Sequence, residues 1–225
     1  TSNDCFSLQF LKFFSSSTMP KGFALILSAP SGTGKTTICR VLREKLPDLK
    51  ILVSHTTREI RKGEKEGLDY TFISKQEFEE KIKSKDFLEW AQVHNCYYGT
   101  SFQATDTSLE NGHDTLLELD VQGVESLRAM DYEGIYILIL PPSVEEMQAR
   151  LTKRGTDSED RIRQRVETGK KEIKEYKIYD YVITNYVVED TVNAILSILQ
   201  AEKVRATHYQ PTSPDIEVLL KDGVD

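Results

Sequence analysis

Residues 28–37 read SAPSGTGKTT and follow the apolar run FALIL. Two glycines, a lysine and two threonines are poor packing material directly after a strand, but they suit a backbone that must approach an anion. Against the pattern G-x-x-x-x-G-K-[ST], Gly34, Lys35 and Thr36 match, Gly32 adds flexibility, and Ala29 stands where the pattern begins with glycine. Glycines let successive N–H groups turn toward phosphate oxygens. A helix beginning near Lys35 adds its positive dipole end and unpaired N–H groups. Lys35 supplies a mobile positive charge for the outer phosphates, and the Thr36 hydroxyl is placed to join a Mg²⁺ shell. The cradle therefore runs through Ala29, Pro30, Ser31, Gly32, Thr33, Gly34, Lys35, Thr36 and Thr37.

A second strand, TLLELD, ends in Asp120, an acid that could position Mg²⁺ and its waters or simply close a turn. Between the two lies a polar stretch rich in Arg and Tyr, 53–102, with RKGEKEG as an exposed turn. After them comes a charged helical stretch, 144–176, centred on KRGTDSEDRIRQR.

These residues need a frame. FALILS (23–28), TLLELD (115–120), IYILIL (135–140) and YVIT (181–184) are short, continuous and apolar, as parallel strands covered on both faces are. Helical patterns fall at 35–46, 75–84, 121–130, 143–153, 157–175 and 189–204. Strand alternating with helix implies an α/β layered fold with a parallel sheet. Hydrophobic residues at 39% of 225 are enough for such a core. The net charge of −7 argues against a broad basic face for nucleic acid. Three widely spaced cysteines without a CxxC or Cys/His cluster argue against zinc or a disulfide framework and favour a reducing compartment. No apolar run approaches the roughly 18 residues of a membrane helix. Residues 1–18 read as a separate disordered extension or upstream start; an organellar presequence is the alternative, although such segments are usually rich in Arg and this one has none.

Several blocks in order resemble the guanylate kinase family: SAPSGTGKT, SHTTR with R, GE, G and DY following, FLEWAQ, YYGTS, LELDVQGV, PPSVEEMQARL with RGT, and ITN. The resemblance covers roughly residues 20–204, and members of that family often carry Ala at the first loop position. It implies a P-loop parallel-sheet core flanked by helices (19–52, 103–143 and 177–205), an inserted GMP-binding subdomain (53–102), a helical lid (144–176) and an appended tail (206–225). The implied activity is transfer of a phosphoryl group from Mg·ATP to GMP, with dGMP as a further acceptor, in the cytoplasm, without nucleic acid, membrane or obligatory protein partner.

The resemblance also assigns residues. Arg58 and Arg61, with Tyr70 and Tyr98, match the clamp on the GMP phosphate, where guanidinium forks suit paired hydrogen bonds. Glu89 matches the reader of the guanine edge: its carboxylate accepts from N1–H and the exocyclic amine, whereas adenine would turn a lone pair toward it. Ser54 and Thr100 match donors to the guanine O6. Arg150, Arg154 and Arg165 match lid arginines that reach the transferring group and, with Lys35, stabilise its charge. Asn185 matches an adenine-side position of the ATP pocket. Glu118 and Asp120 match acids near metal and acceptor, their roles not separable from sequence. Trp90 reads as core of the small lobe. Two rivals stand beside this reading: a kinase for another monophosphate such as AMP, and a non-catalytic scaffold module that uses the same fold to hold peptides.

Overall fold

The computed structural model describes residues 22–61, 63–93, 95–155, 157–206, 208, 209, 213, 214, 216 and 218. The expected extension 1–18 and most of the tail 206–225 lie outside the described residues. In chain order the first elements are β1 (Ala24–Ser28), α1 (Lys35–Lys45), β2 (Lys50–Ile51), β3 (His55–Thr56), β4 (Thr71–Phe72), α2 (Lys75–Lys83), β5 (Phe87–Val93) and β6 (Cys96–Ser101). They are followed by α3 (Phe102–Glu110), β7 (Thr115–Leu119), α4 (Val121–Ala129), β8 (Ile135–Leu140), α5 (Val144–Arg154), α6 (Glu159–Lys174), β9 (Tyr181–Thr184) and α7 (Val188–Lys203).

Five strands pair in parallel in the order β2-β7-β1-β8-β9. Every residue of β1 is buried, and its side chains alternate between two cores. Leu25 and Leu27 pack with Ile38 and Leu42 of α1 and with Val192, Ile195 and Leu199 of α7. Ala24 and Ile26 pack on the other face with Val124 and Leu127 of α4. Burial on both faces is why these strands read as unbroken apolar runs. The arrangement brings the C-terminal ends of β1, β7, β8 and β9 to one edge, where open parallel sheets place their ligands.

A second sheet, order β4-β3-β6-β5, falls within residues 53–102. Its β5–β6 pair is antiparallel, with a register shift between Phe87 and Glu89. That irregularity lets the adjacent Leu88 and Glu89 both be buried, Leu88 within the core of the first sheet. Trp90 then turns outward. It is 43% exposed and meets Tyr97 edge-on at 5.8 Å, so it is not core of the small lobe.

Helices α5 and α6 share a small core of Met147, Leu151, Ile162 and Val166. Helix α3 and strands β2 to β6 have no counterpart in the sequence reading. Three of the strands hold two residues each, too few to show a period. In α3 the run FQATDTSLE is rich in residues that favour caps and turns, and Ser101 caps it at Ala104 N–H. No helix among the described residues is long and apolar enough to cross a membrane.

Candidate active site

Gly32 and Gly34 adopt φ of 85° and 105°, the left-handed region that glycine enters without strain. A Cβ at Gly32 would also come within 2.8 Å of the Met147 carbonyl oxygen, because α5 lies directly on the loop. Gly34 is the residue before α1; no side chain caps that helix, and its first turn holds no acid. The leading N–H groups and the positive end of the dipole are thus left for an external anion. The loop is braced from behind. The Thr33 carbonyl oxygen accepts from Arg150 Nη1 and from Asn185 Nδ2, each at 2.8 Å. Asn185 is buried, and its amide oxygen accepts from the Thr191 hydroxyl at 3.0 Å. The Thr33 hydroxyl is buried without a hydrogen-bond partner.

Lys35 Nζ lies 4.0 Å from Glu118 Oε2, at the end of β7. Burial works against its charge, but Glu118, with Tyr70, Cys39 and Asp120 behind it, holds its pKa above the ordinary value. Asp120 caps α4, its Oδ1 accepting from Gly123 N–H at 2.9 Å. The turn role and the acidic face toward Lys35 are therefore combined in one residue.

Across the cleft, Glu89 is 7% exposed. Burial pushes its carboxyl from 4.5 up to about 7, with the nearby Thr100 groups and Lys35 offsetting part of the rise and Asp120 adding to it. Thr100 faces it in the β5–β6 register, and the Thr100 hydroxyl is buried without a satisfied hydrogen bond. Just beyond β3, Arg58 forks onto Glu64, Nη1 to Oε2 at 3.0 Å and Nη2 to Oε1 at 2.9 Å. The guanidinium lies over the Tyr70 and Phe72 rings at 5.2 and 5.5 Å. The Arg61 N–H donates to the same Glu64 at 2.8 Å, leaving its side chain exposed. Tyr70 and Tyr98 meet edge to face at 5.9 Å. Ser54 is half-buried at the margin of this sheet, its carbonyl oxygen taking the Thr71 N–H at 2.9 Å.

From the third side, Arg165 of α6 donates to Asp157 Oδ2 at 2.6 Å, while its Nε is buried without a partner. Helix α6 touches the loop at Gly169, where a Cβ would stand 3.4 Å from Pro30 Cβ and 2.9 Å from Met147 Sδ. The Arg154 side chain lies outside the described residues.

A family model described as "Guanylate kinase" matches residues 21–202. The guanylate kinase of Clostridium tetani is 43% identical over 206 residues, 92% of this chain and 97% of the relative. That of Syntrophus aciditrophicus is 44% identical over 187 residues, 83% of this chain and 90% of the relative. The chain belongs to the guanylate kinase family. The crystal structure of guanylate kinase from Anaplasma phagocytophilum superposes with a TM-score of 0.71 at 32% identity, covering 91% of this chain and 96% of that one.

Within that family frame the structure adds residues that the sequence reading does not single out. Glu64 neutralises Arg58, and Asp157 holds Arg165. Glu172 of α6 lies within electrostatic reach of Asp120, Lys35 and Arg165, and burial first, then Asp120, pushes its carboxyl up to about 7. Glu64 sits among the basic residues of RKGEKEG, so alternating charge is a usable signal there. Glu172 gives no such signal in KKEIKE, because only the packing of α6 against the loop turns it inward.

Proposed function

We propose that the chain's guanylate kinase activity, transfer of the γ-phosphoryl group of ATP to GMP to give ADP and GDP, is divided over this site as follows. Residues 29–37 cradle the ATP phosphates through main-chain N–H groups. Lys35 bridges toward the transferring group. Asn185 and Arg150 keep the Thr33 carbonyl turned away from the phosphates, so Asn185 acts on the loop rather than reading a base. Mg²⁺ enters with ATP: the exposed Thr36 hydroxyl offers one ligand, and phosphate oxygens and water supply the others. Among the described residues no group of three or more His, Cys, Asp or Glu is set to hold a metal. The Mg²⁺ ion neutralises charge that spreads over the transferring group.

Arg58, Arg61, Tyr70 and Tyr98 take the GMP phosphate. Glu89 reads the guanine edge, with the buried Thr100 hydroxyl and Ser54 toward O6. Glu118 and Asp120 stand between the two nucleotides, Glu118 orienting Lys35 and Asp120 fixing the start of α4. Arg150, Arg154 and Arg165 stabilise the transferring charge, Arg165 through its free Nε. Residues 53–102 form the GMP subdomain and 144–176 the lid, whose closure would exclude water as a competing acceptor. GMP and dGMP are the acceptors, and the setting is the cytoplasm.

One observation carries the acceptor assignment. A buried carboxyl, Glu89, lies beside the buried Thr100 hydroxyl, across from the loop lysine. The test is phosphoryl transfer from Mg·ATP to GMP, dGMP and AMP, measured as ADP formed. GMP and dGMP should be used far better than AMP. Preference for AMP would remove the guanine assignment, and no ADP with any acceptor would favour the scaffold module.

A further inference from the structure

Gly123 is the third residue of α4, and it lies under the Glu89 carboxylate. A Cβ built on Gly123 would stand 2.7 Å from Glu89 Oε2, 3.2 Å from Glu89 Cδ and 3.3 Å from Leu119 Cβ. Its backbone is helical and is not among the positive-φ glycines. The chain therefore needs no glycine here for conformation; an alanine would suit the helix better. What the glycine provides is room. Its N–H is meanwhile fixed by Asp120 Oδ1 at 2.9 Å, so the helix start cannot slide away.

We propose that Gly123 is a specificity-determining positioning residue: the bare face of α4 sets where the Glu89 carboxylate stands, and hence which acceptor base it can meet. The inference rests on the reading of Glu89 as the guanine reader. Two features make the effect selective. The nearest atom to the added methyl is the end of a side chain, so the clash is relieved by moving the carboxylate and not the backbone. That carboxylate is buried, however, and its displacement spoils a paired hydrogen-bond geometry that tolerates errors of only a few tenths of an ångström. Specificity is thus more sensitive to this position than stability is.

The test is steady-state kinetics and thermal unfolding of Gly123→Ala, Glu89→Asp, the double variant and Glu89→Gln. Gly123→Ala should raise the KM for GMP about tenfold or more, leave the KM for ATP within about twofold, and leave Tm within a few degrees. Glu89→Asp withdraws the carboxylate by one methylene and makes space for the methyl. Its effect on GMP should therefore be smaller when combined with Gly123→Ala than alone, a non-additivity that a merely structural role would not produce. An unchanged GMP KM in Gly123→Ala, or effects that multiply, would overturn the proposal. If Gly123→Ala fails to fold, recovery of a native transition by adding Glu89→Asp supports the contact, and failure to recover contradicts it. Glu89→Gln keeps the two readings apart. Loss of guanine preference there with a neutral Gly123→Ala removes the present inference alone; intact preference in Glu89→Gln removes the reading beneath it.

Discussion

Asn185, at the end of β9, donates its side-chain amide to the Thr33 carbonyl oxygen at 2.8 Å. The outermost strand of the large sheet thereby holds the phosphate loop from beneath, with Thr191 fixing the amide from the other side. Asn185→Ala takes away one of that carbonyl's two donors and leaves Arg150, a loss of about 0.5–1.5 kcal/mol. Asn185→Ala should raise the KM for ATP roughly tenfold while the KM for GMP changes little. Initial rates with each substrate varied in turn decide this; an effect confined to GMP would contradict the division of sites.

Lys35 stands at the first turn of a helix whose dipole end no acid neutralises. Removing one preorganised charge from a developing transition state costs on the order of 10²–10³ in kcat. Lys35→Ala should show a loss of that size, while calorimetry still detects GMP binding. Unchanged turnover would dismiss the loop as the donor site.

Arg58 meets its partner as a fork, and its flat face covers Tyr70. Lysine keeps the charge but loses both features. Arg58→Lys should raise the KM for GMP about 10- to 100-fold, in line with about 1.5–3 kcal/mol for a charged hydrogen bond. The KM for ATP serves as the internal control.

Glu89 titrates near 7 when folded, against 4.5 for an ordinary glutamate. Between those values the folded state keeps a proton that the unfolded chain releases. Its contribution to stability is therefore present below about 4.5 and lost as pH rises through 7. Glu89→Gln removes this dependence. The variant should be more stable than the native sequence, with the difference in unfolding free energy widening from pH 5 to pH 8 by about 2–3 kcal/mol. Glu172, raised by burial and Asp120, adds a separate increment of the same sign, removable by Glu172→Gln. GMP needs the ionised carboxylate, so near pH 6 its binding should release a proton that Glu89→Gln does not. Calorimetry in two buffers of different ionisation enthalpy measures the difference.

The large sheet is legible in the sequence mainly through its inner strands, which are buried on both faces: the run 135–140 coincides with β8, and at the sheet edge the apolar run 181–184 coincides with β9, whose Val182 is exposed. The loop is legible because glycine at φ of 85° and 105° has no common substitute. The small sheet is not, since β3 and β4 exist only through partners distant in sequence. Trp90 reads as core because local hydrophobicity gives no notice of the register shift at β5, which buries Glu89 and turns its neighbour out. Glu64 and Asp157 escape for another reason. A resemblance points to groups that meet the nucleotides, and says nothing of the carboxylates those groups pair with.

Two of the arginines assigned to phosphates carry an intramolecular carboxylate: Arg58 is forked onto Glu64, and Arg165 rests on Asp157. In the proposed role of Arg58, an arriving phosphate competes with a tethered carboxylate for the same fork, and that carboxylate is at hand when the phosphate leaves. Counter-ion exchange of this kind trims the net gain from capture and hastens the parting. Under the proposed assignment, tightness of grip is exchanged for quicker clearance of GDP between turnovers.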